Sequence, residues 1–258
     1  MFSFFKKRDN TQSNYVQNIA EDYTDVMPIA EYFKSETGVT FDKQISILQN
    51  KVTTFCKQRN INSFGQLLKF IKHDIELKQA LIDALTTNET FFYREFKQIQ
   101  ELVRLVRDAG KHITILCAPS ATGEEPYGIA IALLEAGVPS KNFHITGIDI
   151  NYDATNKAKN AMYKARNVRN LTPEIISRYF TQNDSLYTLK DSVKAQVTFK
   201  VINLFDASFA TIGKFDFIFS RNMLIYFDKE TKLKAKEILE GLRKNPNQEI
   251  FFGHADLF

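Results

Sequence analysis

The chain has 258 residues, of which 44% are hydrophobic and 25% charged, and a formal net charge of +4. This is the profile of a globular protein with a substantial core and only a mild preference for acidic partners. No apolar run approaches the ~20 residues of a membrane span, and residues 1–8 carry too few apolar side chains for a secretory signal. Cys56 and Cys117 have neither disulfide nor zinc-site spacing. We therefore expect a cytoplasmic protein without membrane insertion and without a metal.

The first third of the chain predicts a tail followed by helices. Residues 1–25 are polar and irregular, whereas from residue 29 to residue 85 apolar side chains recur at helical spacing. Ser63 and Gln66 have the spacing of a capping box at the start of a helix. The predicted apolar face of that helix consists of Phe64, Leu67, Leu68, Ile71 and Ile75. We predict an all-α domain over residues 26–90 that docks a substrate or covers one end of a sheet.

Residues 91–258 are predicted to form an α/β domain. The predicted strands are 113–118, 143–150, 197–203, 215–220 and 249–253. They alternate with helices predicted near 92–109, 124–136, 153–163, 173–180 and 229–243. Such alternation is typical of a parallel, doubly wound sheet with right-handed crossovers. One stretch departs from it, because 185–189 and 196–201 resemble paired strands joined by a polar turn. We predict a small antiparallel β excursion there, at about 181–200.

The turn after the first predicted strand carries two carboxylates. Glu124 and Glu125 would repel a pyrophosphate but suit a cationic or amine-bearing ligand, and they also suit the dipole of the helix that begins there. A plain helix start with favourable glutamates is the alternative. Asp149 ends the second predicted strand, where an acidic residue of a doubly wound sheet typically accepts hydrogen bonds from ribose hydroxyls. It could equally be an N-cap or a loop acid.

A polar and aromatic segment, residues 85–95, joins the two predicted domains. Such junctions are common ligand sites. Besides three aromatic residues, the segment contains three polar candidates: Asn88, Thr90 and Arg94. A capped helix start formed by Thr86 and Glu89 is the alternative. It explains those two residues but not the three candidates together.

Further candidates follow the later strands. Asn203 ends the predicted strand 197–203, and Asn222 and Tyr226 follow the strand 215–220. Asp228 is predicted to cap the next helix. Because ligands of open α/β sheets bind at the carboxyl ends of strands, Asn203, Asn222 and Tyr226 are site candidates.

Blocks of sequence in a specific order resemble the CheR-type chemotaxis receptor methyltransferases. The family's blocks and their matches here are TTNxTxFFRE at 86–95, STGEEPYS at 121–128, DID at 147–151, CRNxxIYFD at 220–228 and a GHSE-like turn at 253–256. The resemblance extends over residues 30–258. It implies an all-α N-terminal domain followed by a Rossmann-like methyltransferase domain.

The resemblance also implies a cofactor and a substrate. The family uses S-adenosyl-L-methionine to methylate glutamate side chains on acidic helical segments of methyl-accepting bacterial chemoreceptors, and binds no nucleic acid. The positions that match its cofactor contacts are Asn88, Thr90, Arg94, Glu125, Asp149, Asn203, Leu204, Asn222 and Met223. Glu125 is expected to hold the cofactor's amino group and Asp149 its ribose hydroxyls. Asn203 and Leu204 are expected to flank the adenine, by amide hydrogen bonds and by apolar contact.

Two residues are expected to act on the substrate. A glutamate carboxylate is ionised at pH 7, with an ordinary pKa of about 4.3, so the reaction needs alignment rather than a base. The planar fork of Arg94 matches a carboxylate and is expected to orient it. Tyr226 is expected to donate a hydrogen bond to the same group. A packed aromatic whose hydroxyl bonds only the backbone is the alternative for Tyr226.

The chain departs from the family pattern in three places. Residues 43–59 match a helix that is often arginine-rich, but offer only four basic side chains, so steering to an acidic substrate is expected to be weaker. The β excursion lacks a glycine-rich turn, so we expect no tether for a receptor's C-terminal peptide. Relatives continue beyond the 253–256 turn with two strands, whereas this sequence stops at 258. An exposed strand at 249–253 would then be prone to aggregation.

Two other function classes remain open on the sequence. A catalytically idle relative could bind the cofactor and act as a signalling adaptor, although Arg94 and Tyr226 are both present. A nicotinamide-dependent oxidoreductase would require a GxGxxG loop, but Gly123 is the only glycine between residues 111 and 127.

Overall fold

The computed structural model describes residues 21–107 and 110–256. The predicted tail therefore lies outside the described residues as far as residue 20. Of its remaining part, Tyr23 donates its hydroxyl to the carbonyl of Ile61 at 2.6 Å, so the chain is already attached to the helices there. Four helices follow: α1 (Met27–Thr37), α2 (Ile45–Gln58), α3 (Phe64–Ile71) and α4 (Ile75–Leu85).

These four helices share one hydrophobic core, in which Ile29, Leu48 and Leu67 are fully buried. The predicted capping box is only half formed at the start of α3, because the Gln66 side chain bonds the backbone N–H of Asn62 and not that of Ser63. Ser63 Oγ accepts from the Gln66 backbone N–H at 3.1 Å, and Gln66 Oε1 accepts from the Asn62 N–H at 2.8 Å. The predicted apolar face is wrong in one residue. Ile75 is 79% exposed because α3 ends at Ile71 and Ile75 begins a separate helix.

The rest of the described chain alternates between helices and strands. The helices are α5 (Phe96–Val106), α6 (Glu124–Glu135), α7 (Tyr152–Asn160), α8 (Ala165–Val168), α9 (Pro173–Tyr179), α10 (Asp191–Lys194) and α11 (Lys229–Glu240). The strands are β1 (Ile113–Cys117), β2 (Phe143–Asp149), β3 (Met162–Lys164), β4 (Phe180–Asn183), β5 (Leu186–Leu189), β6 (Val197–Val201), β7 (Phe217–Ser220) and β8 (Phe251–Phe252).

The main sheet has the order β6-β2-β1-β7-β8, and each neighbouring pair is parallel. This confirms the predicted α/β fold class. The chain proceeds outward from β1 to β2 and β6, and then returns to β7 on the other side of β1. The strand order therefore reverses between β1 and β7, which is where doubly wound sheets bind ligands.

The small antiparallel sheet exists, but its predicted pairing is wrong. Its order is β3-β5-β4, whereas β6 pairs with β2 in the main sheet. The polar stretch predicted as a turn contains the short helix α10, which leads the chain back to the main sheet. Val197 and Phe199 of β6 are buried and alternate with exposed residues, which suits a half-buried edge strand. We call β3, β4 and β5 the β excursion.

Two predicted helices have different ends for local reasons. The helix predicted at 153–163 ends at Asn160, because Ala161 is left-handed, with φ at 52°, and β3 begins after it. The helix predicted at 92–109 begins only at Phe96. Tyr93 and Glu95 before it have φ of 59° and 50°, which no right-handed helix contains.

The connection between α1 and α2 packs against the carboxyl edge of the main sheet. Val39 forms an antiparallel bridge with Phe227, and the Thr40 N–H donates to the Tyr226 carbonyl at 2.9 Å. Gly38 permits this approach. Its φ is +75°, and a Cβ there would lie 2.5 Å from a ring carbon of Phe205.

We expect Gly38→Ala to destabilise the protein by about 1–3 kcal/mol more than Gly137→Ala. Gly137 is the matched control, because its φ is +80° but a Cβ there would meet nothing within 4 Å. Both variants incur the left-handed backbone cost, and only Gly38→Ala adds the clash with Phe205. Urea unfolding measures the difference. Equal losses of stability would show that the connection moves aside freely.

Candidate functional site

A cleft with two adjoining lobes lies at the carboxyl ends of β1, β2, β6 and β7. The aspartate lobe, which contains Asp149, has a volume of about 140 Å³. The arginine lobe, which contains Arg94, has a volume of about 290 Å³. Together they reach the size of a small-molecule site, about 300–1,000 Å³. All ten residues predicted from the sequence line this cleft: Asn88, Thr90, Arg94, Glu125, Asp149, Asn203, Leu204, Asn222, Met223 and Tyr226.

Asp149 is held rigidly at the end of β2. It is 5% exposed, and its two oxygens accept from the backbone N–H groups of Ala121 at 2.7 Å and Asn151 at 2.9 Å. Each carboxylate oxygen has a second lone pair that remains available for a ligand hydroxyl. Burial raises the pKa of Asp149 to about 6, and the backbone hydrogen bonds oppose this rise.

The raised pKa of Asp149 predicts a pH dependence of binding. In the protein alone, the neutral carboxyl favours folding below its ordinary pKa of 3.8, and this contribution is lost as the pH rises through about 6. Ribose hydroxyls prefer the ionised acceptor. We therefore expect the affinity for S-adenosylhomocysteine to fall about tenfold from pH 7 to pH 5. Calorimetric titration measures it, and Asp149→Asn should remove the dependence. The same pH profile in Asp149→Asn would assign the titration to another group.

The side-chain amide of Asn203, which is predicted to contact the adenine, already forms two hydrogen bonds within the protein. Its Nδ2 donates to the carbonyl of Glu36 at 2.5 Å, and its Oδ1 accepts from the Phe205 N–H at 3.0 Å. The side chain therefore joins α1 to the loop after β6. One N–H and one lone pair remain for a ligand. Leu204 beside it is buried and presents apolar surface to the aspartate lobe.

The loop after β1 orients its two glutamates differently. Gly123 is the N-cap of α6, with φ at +92°, and a Cβ there would lie 3.0 Å from Cβ of Ala158. Glu124 points away from the cleft, and its carboxylate accepts from Thr122 Oγ1 at 2.6 Å and from Asn167 Nδ2 at 2.7 Å. Of the pair, only Glu125 lines the cleft.

Glu125 forms a buried ion pair with Arg221. Arg221 Nε donates to Glu125 Oε2, and both side chains are less than a tenth exposed. Burial raises the pKa of Glu125, and the guanidinium of Arg221 opposes the rise. The other oxygen, Oε1, is buried without a hydrogen-bond partner among the described residues. An unpaired carboxylate oxygen next to a lobe is a site for an ammonium group, so the residues present fit the amino end of S-adenosylmethionine.

Arg94 and Tyr226 both line the arginine lobe. Arg94 is half-buried, and its Nη1 donates to the Glu89 carbonyl at 3.4 Å, which is a long hydrogen bond. Tyr226 is 37% exposed and lines both lobes. A packed core aromatic would be buried, so its exposure disfavours the alternative interpretation of Tyr226.

Three features of the site were not found from the sequence. Arg221 was not singled out, although a buried arginine requires a carboxylate partner and two glutamates were at hand. Buried Asp256 accepts from the backbone N–H of Asn222 and from that of Gly253, which holds the loop after β7 in place. The end of α1 at Thr37 and the α1–α2 connection with Val39 and Phe41 supply part of the lining of the aspartate lobe.

The described part of the chain contains no group of three or more His, Cys, Asp or Glu residues able to hold a metal ion. Nor does any helix within the described ranges have the length and apolarity that a membrane span requires.

Comparison with known proteins identifies the family. Residues 88–258 match the model of the CheR methyltransferase SAM-binding domain. A chemotaxis protein methyltransferase of Campylobacter jejuni is 36% identical over 86% of this chain and 84% of its own. Chemotaxis protein methyltransferase 2 of Vibrio cholerae is 34% identical over 90% of this chain and 85% of its own. The chemotaxis protein methyltransferase of Escherichia coli is 29% identical over 89% and 83%. The chain therefore belongs to the CheR methyltransferase family, and it is a methyltransferase whose cofactor is S-adenosylmethionine.

Proposed function

We propose that this enzyme methylates glutamate side chains of bacterial chemoreceptors, in the cytoplasm. The names of its relatives, chemotaxis protein methyltransferases, support a role in chemotaxis. The observation that carries the glutamate assignment is the arginine lobe, where Arg94 lies in the same cavity as Glu125 and Tyr226. A planar guanidinium can bind a carboxylate with two parallel hydrogen bonds.

The reaction requires the protein to align the substrate carboxylate with the cofactor and to place charged side chains beside both. S-adenosylmethionine supplies an electrophilic methyl group on its sulfonium, which passes to a carboxylate oxygen to give a methyl ester and S-adenosylhomocysteine. Arg94 holds the ionised substrate carboxylate, and Glu125 and Asp149 fix the two ends of the cofactor site. Such alignment contributes on the order of 7–11 kcal/mol to lowering a barrier in favourable cases.

Tyr226→Phe tests the second substrate contact. We expect kcat to fall about tenfold, because one hydrogen bond to the reacting carboxylate is lost, with a value of about 1.5 kcal/mol. The affinity for S-adenosylhomocysteine should stay nearly unchanged, because the ring remains. Initial rates at saturating cofactor, together with calorimetry, separate the two effects. A large loss of cofactor affinity with unchanged kcat would show that Tyr226 contacts the cofactor and not the substrate.

Transfer of tritiated methyl groups from S-adenosylmethionine to membranes containing chemoreceptors tests the proposal. We expect label on the receptor band with the wild-type enzyme and far less label with Arg94→Ala. Receptors whose methylatable glutamates are replaced by alanine are the control for specificity. An enzyme that binds the cofactor but labels neither receptors nor other proteins would support the idle adaptor instead.

A further inference from the structure

We propose that four basic side chains beside the β excursion form the docking surface for the acidic helix that carries the methyl-accepting glutamate. We call Lys157, Lys164, Arg166 and Arg169 the basic rim. This inference rests on the proposed function, because it assigns a surface to the substrate of the same site.

The basic rim lines a polar cleft of about 710 Å³ that opens onto the catalytic cleft. Asn88 and Thr90 line both the polar cleft and the arginine lobe, so a ligand in the polar cleft can extend into the arginine lobe. All four rim side chains are exposed. Within the described ranges of the chain none of the four forms an ion pair, so their charges are available to a partner.

Helix α2, where the resemblance expects the basic surface, is a weaker candidate in this chain. Lys57 lies 3.6 Å from the carboxylate of Glu21. The guanidinium carbon of Arg59 lies 3.8 Å from the ring centroid of Phe55. Lys57 therefore already has a counter-charge on its own domain, whereas within the described ranges no side chain of the basic rim is in an ion pair. Arg169 of the rim lies over a ring, as Arg59 does.

The distance between the basic rim and the reaction site suits a helix. The guanidinium carbons of Arg94 and Arg169 lie 5.9 Å and 3.6 Å from the ring centroid of Phe91. The two cations are therefore less than two helical turns apart, at about 5.4 Å per turn. Glutamates spaced by three, four or seven residues share one face of a helix. One of them can enter the arginine lobe while a neighbour contacts Arg169.

The polar cleft also has features that would orient such a helix. Met162 is 54% exposed within it and offers an adaptable apolar anchor. The remaining wall carries Asp83, Glu89 and Asp153, which repel the acidic face of a partner. The acidic face is therefore directed to the basic rim, and any basic residues of the partner to the other wall.

Peptide binding tests the surface independently of catalysis. The probes are a fluorescent helical peptide about six turns long, with glutamates at three- and four-residue spacing, and a matched peptide with glutamine at those positions. Anisotropy is measured in saturating S-adenosylhomocysteine at several salt concentrations. We expect the wild-type enzyme to prefer the glutamate peptide, and Lys164→Glu with Arg166→Glu to weaken its binding about tenfold with a shallower salt dependence.

Two further variants serve as controls. Lys97→Glu with Lys141→Glu makes the same charge change at exposed positions that do not line the polar cleft, and should leave binding unchanged. Lys164→Gln with Arg166→Gln removes charge without reversing it and should give an intermediate loss. Equal weakening by the rim and control pairs, or no preference for the glutamate peptide, would overturn the proposal. If the glutamate peptide binds through the basic rim but the enzyme transfers no methyl group to receptors, the proposed function is contradicted and the docking surface is supported.

Discussion

Arg94→Ala is expected to lower kcat/KM for the receptor about 10³-fold, equivalent to about 4 kcal/mol. The side chain is half-buried in the arginine lobe, and its hydrogen bond to Glu89 is long, so its fork is available to the substrate carboxylate. Without it, the carboxylate enters the lobe with neither a bidentate partner nor a counter-charge. Steady-state rates with receptor and cofactor varied separately measure the loss.

Two variants control for charge and for general effects of an arginine substitution. Arg94→Lys keeps the charge but not the planar fork, so we expect an intermediate rate. Arg107→Ala removes an exposed arginine just after α5 and should leave the rate unchanged. The affinity for S-adenosylhomocysteine should fall less than the rate in Arg94→Ala. Normal turnover by Arg94→Ala would show that another group orients the substrate.

Arg221→Ala is expected to destabilise the protein by about 3–5 kcal/mol, because it leaves the buried carboxylate of Glu125 without its counter-charge. Burial raises the pKa of Glu125 and Arg221 lowers it, so the pKa of Glu125 should rise further in Arg221→Ala. A carboxyl with a raised pKa favours folding at low pH and loses that contribution as the pH rises. The deficit of Arg221→Ala should therefore be larger at pH 8 than at pH 5.5, which urea unfolding at the two pH values measures.

An exposed pair of the same chemistry is the matched control. Arg178 pairs with Glu135 at the surface, where their side chains are 59% and 30% exposed. Arg178→Ala should cost no more than about 1 kcal/mol, because solvent screens such pairs. Equal losses for Arg178→Ala and Arg221→Ala would contradict the buried pair at Glu125.

Glu125→Gln tests the cofactor contact of Glu125, and it also removes the counter-charge of Arg221. It keeps the shape of the side chain but removes the charge that we expect to hold the cofactor's amino group. We expect the affinity for S-adenosylhomocysteine to fall about 10- to 100-fold, the value of a hydrogen bond to a charged group.

The parallel sheet could be predicted because its central strand β1 is a continuous apolar run and further strands alternate with helices along the chain. Ile115, Leu116 and Cys117 of β1 are fully buried, so neither face of the strand requires polar residues. The β excursion was harder to predict. Strand β3 has only three residues and directly follows a helix, so its own pattern is too short to be distinguished from that helix.

The residues that line the cleft could be predicted because they follow strands or lie in recognisable blocks, but their contacts could not. Glu125 and Arg221 are 96 positions apart, and only the parallel pairing of β1 with β7 brings them together. The same holds for Asn203 and Glu36, which meet only when α1 packs on the sheet edge. Local sequence carries no signal of such contacts.

The most direct test of the central claim is the chemical identity of the methylated group. The enzyme, S-adenosylmethionine and a purified chemoreceptor are incubated together, and the receptor is digested and examined by mass spectrometry. We predict methyl groups on glutamate side chains that alkali releases as methanol, because a carboxyl methyl ester hydrolyses readily. Alkali-stable methyl groups on lysine, arginine or another residue would contradict the proposal that this cleft presents a carboxylate to the cofactor.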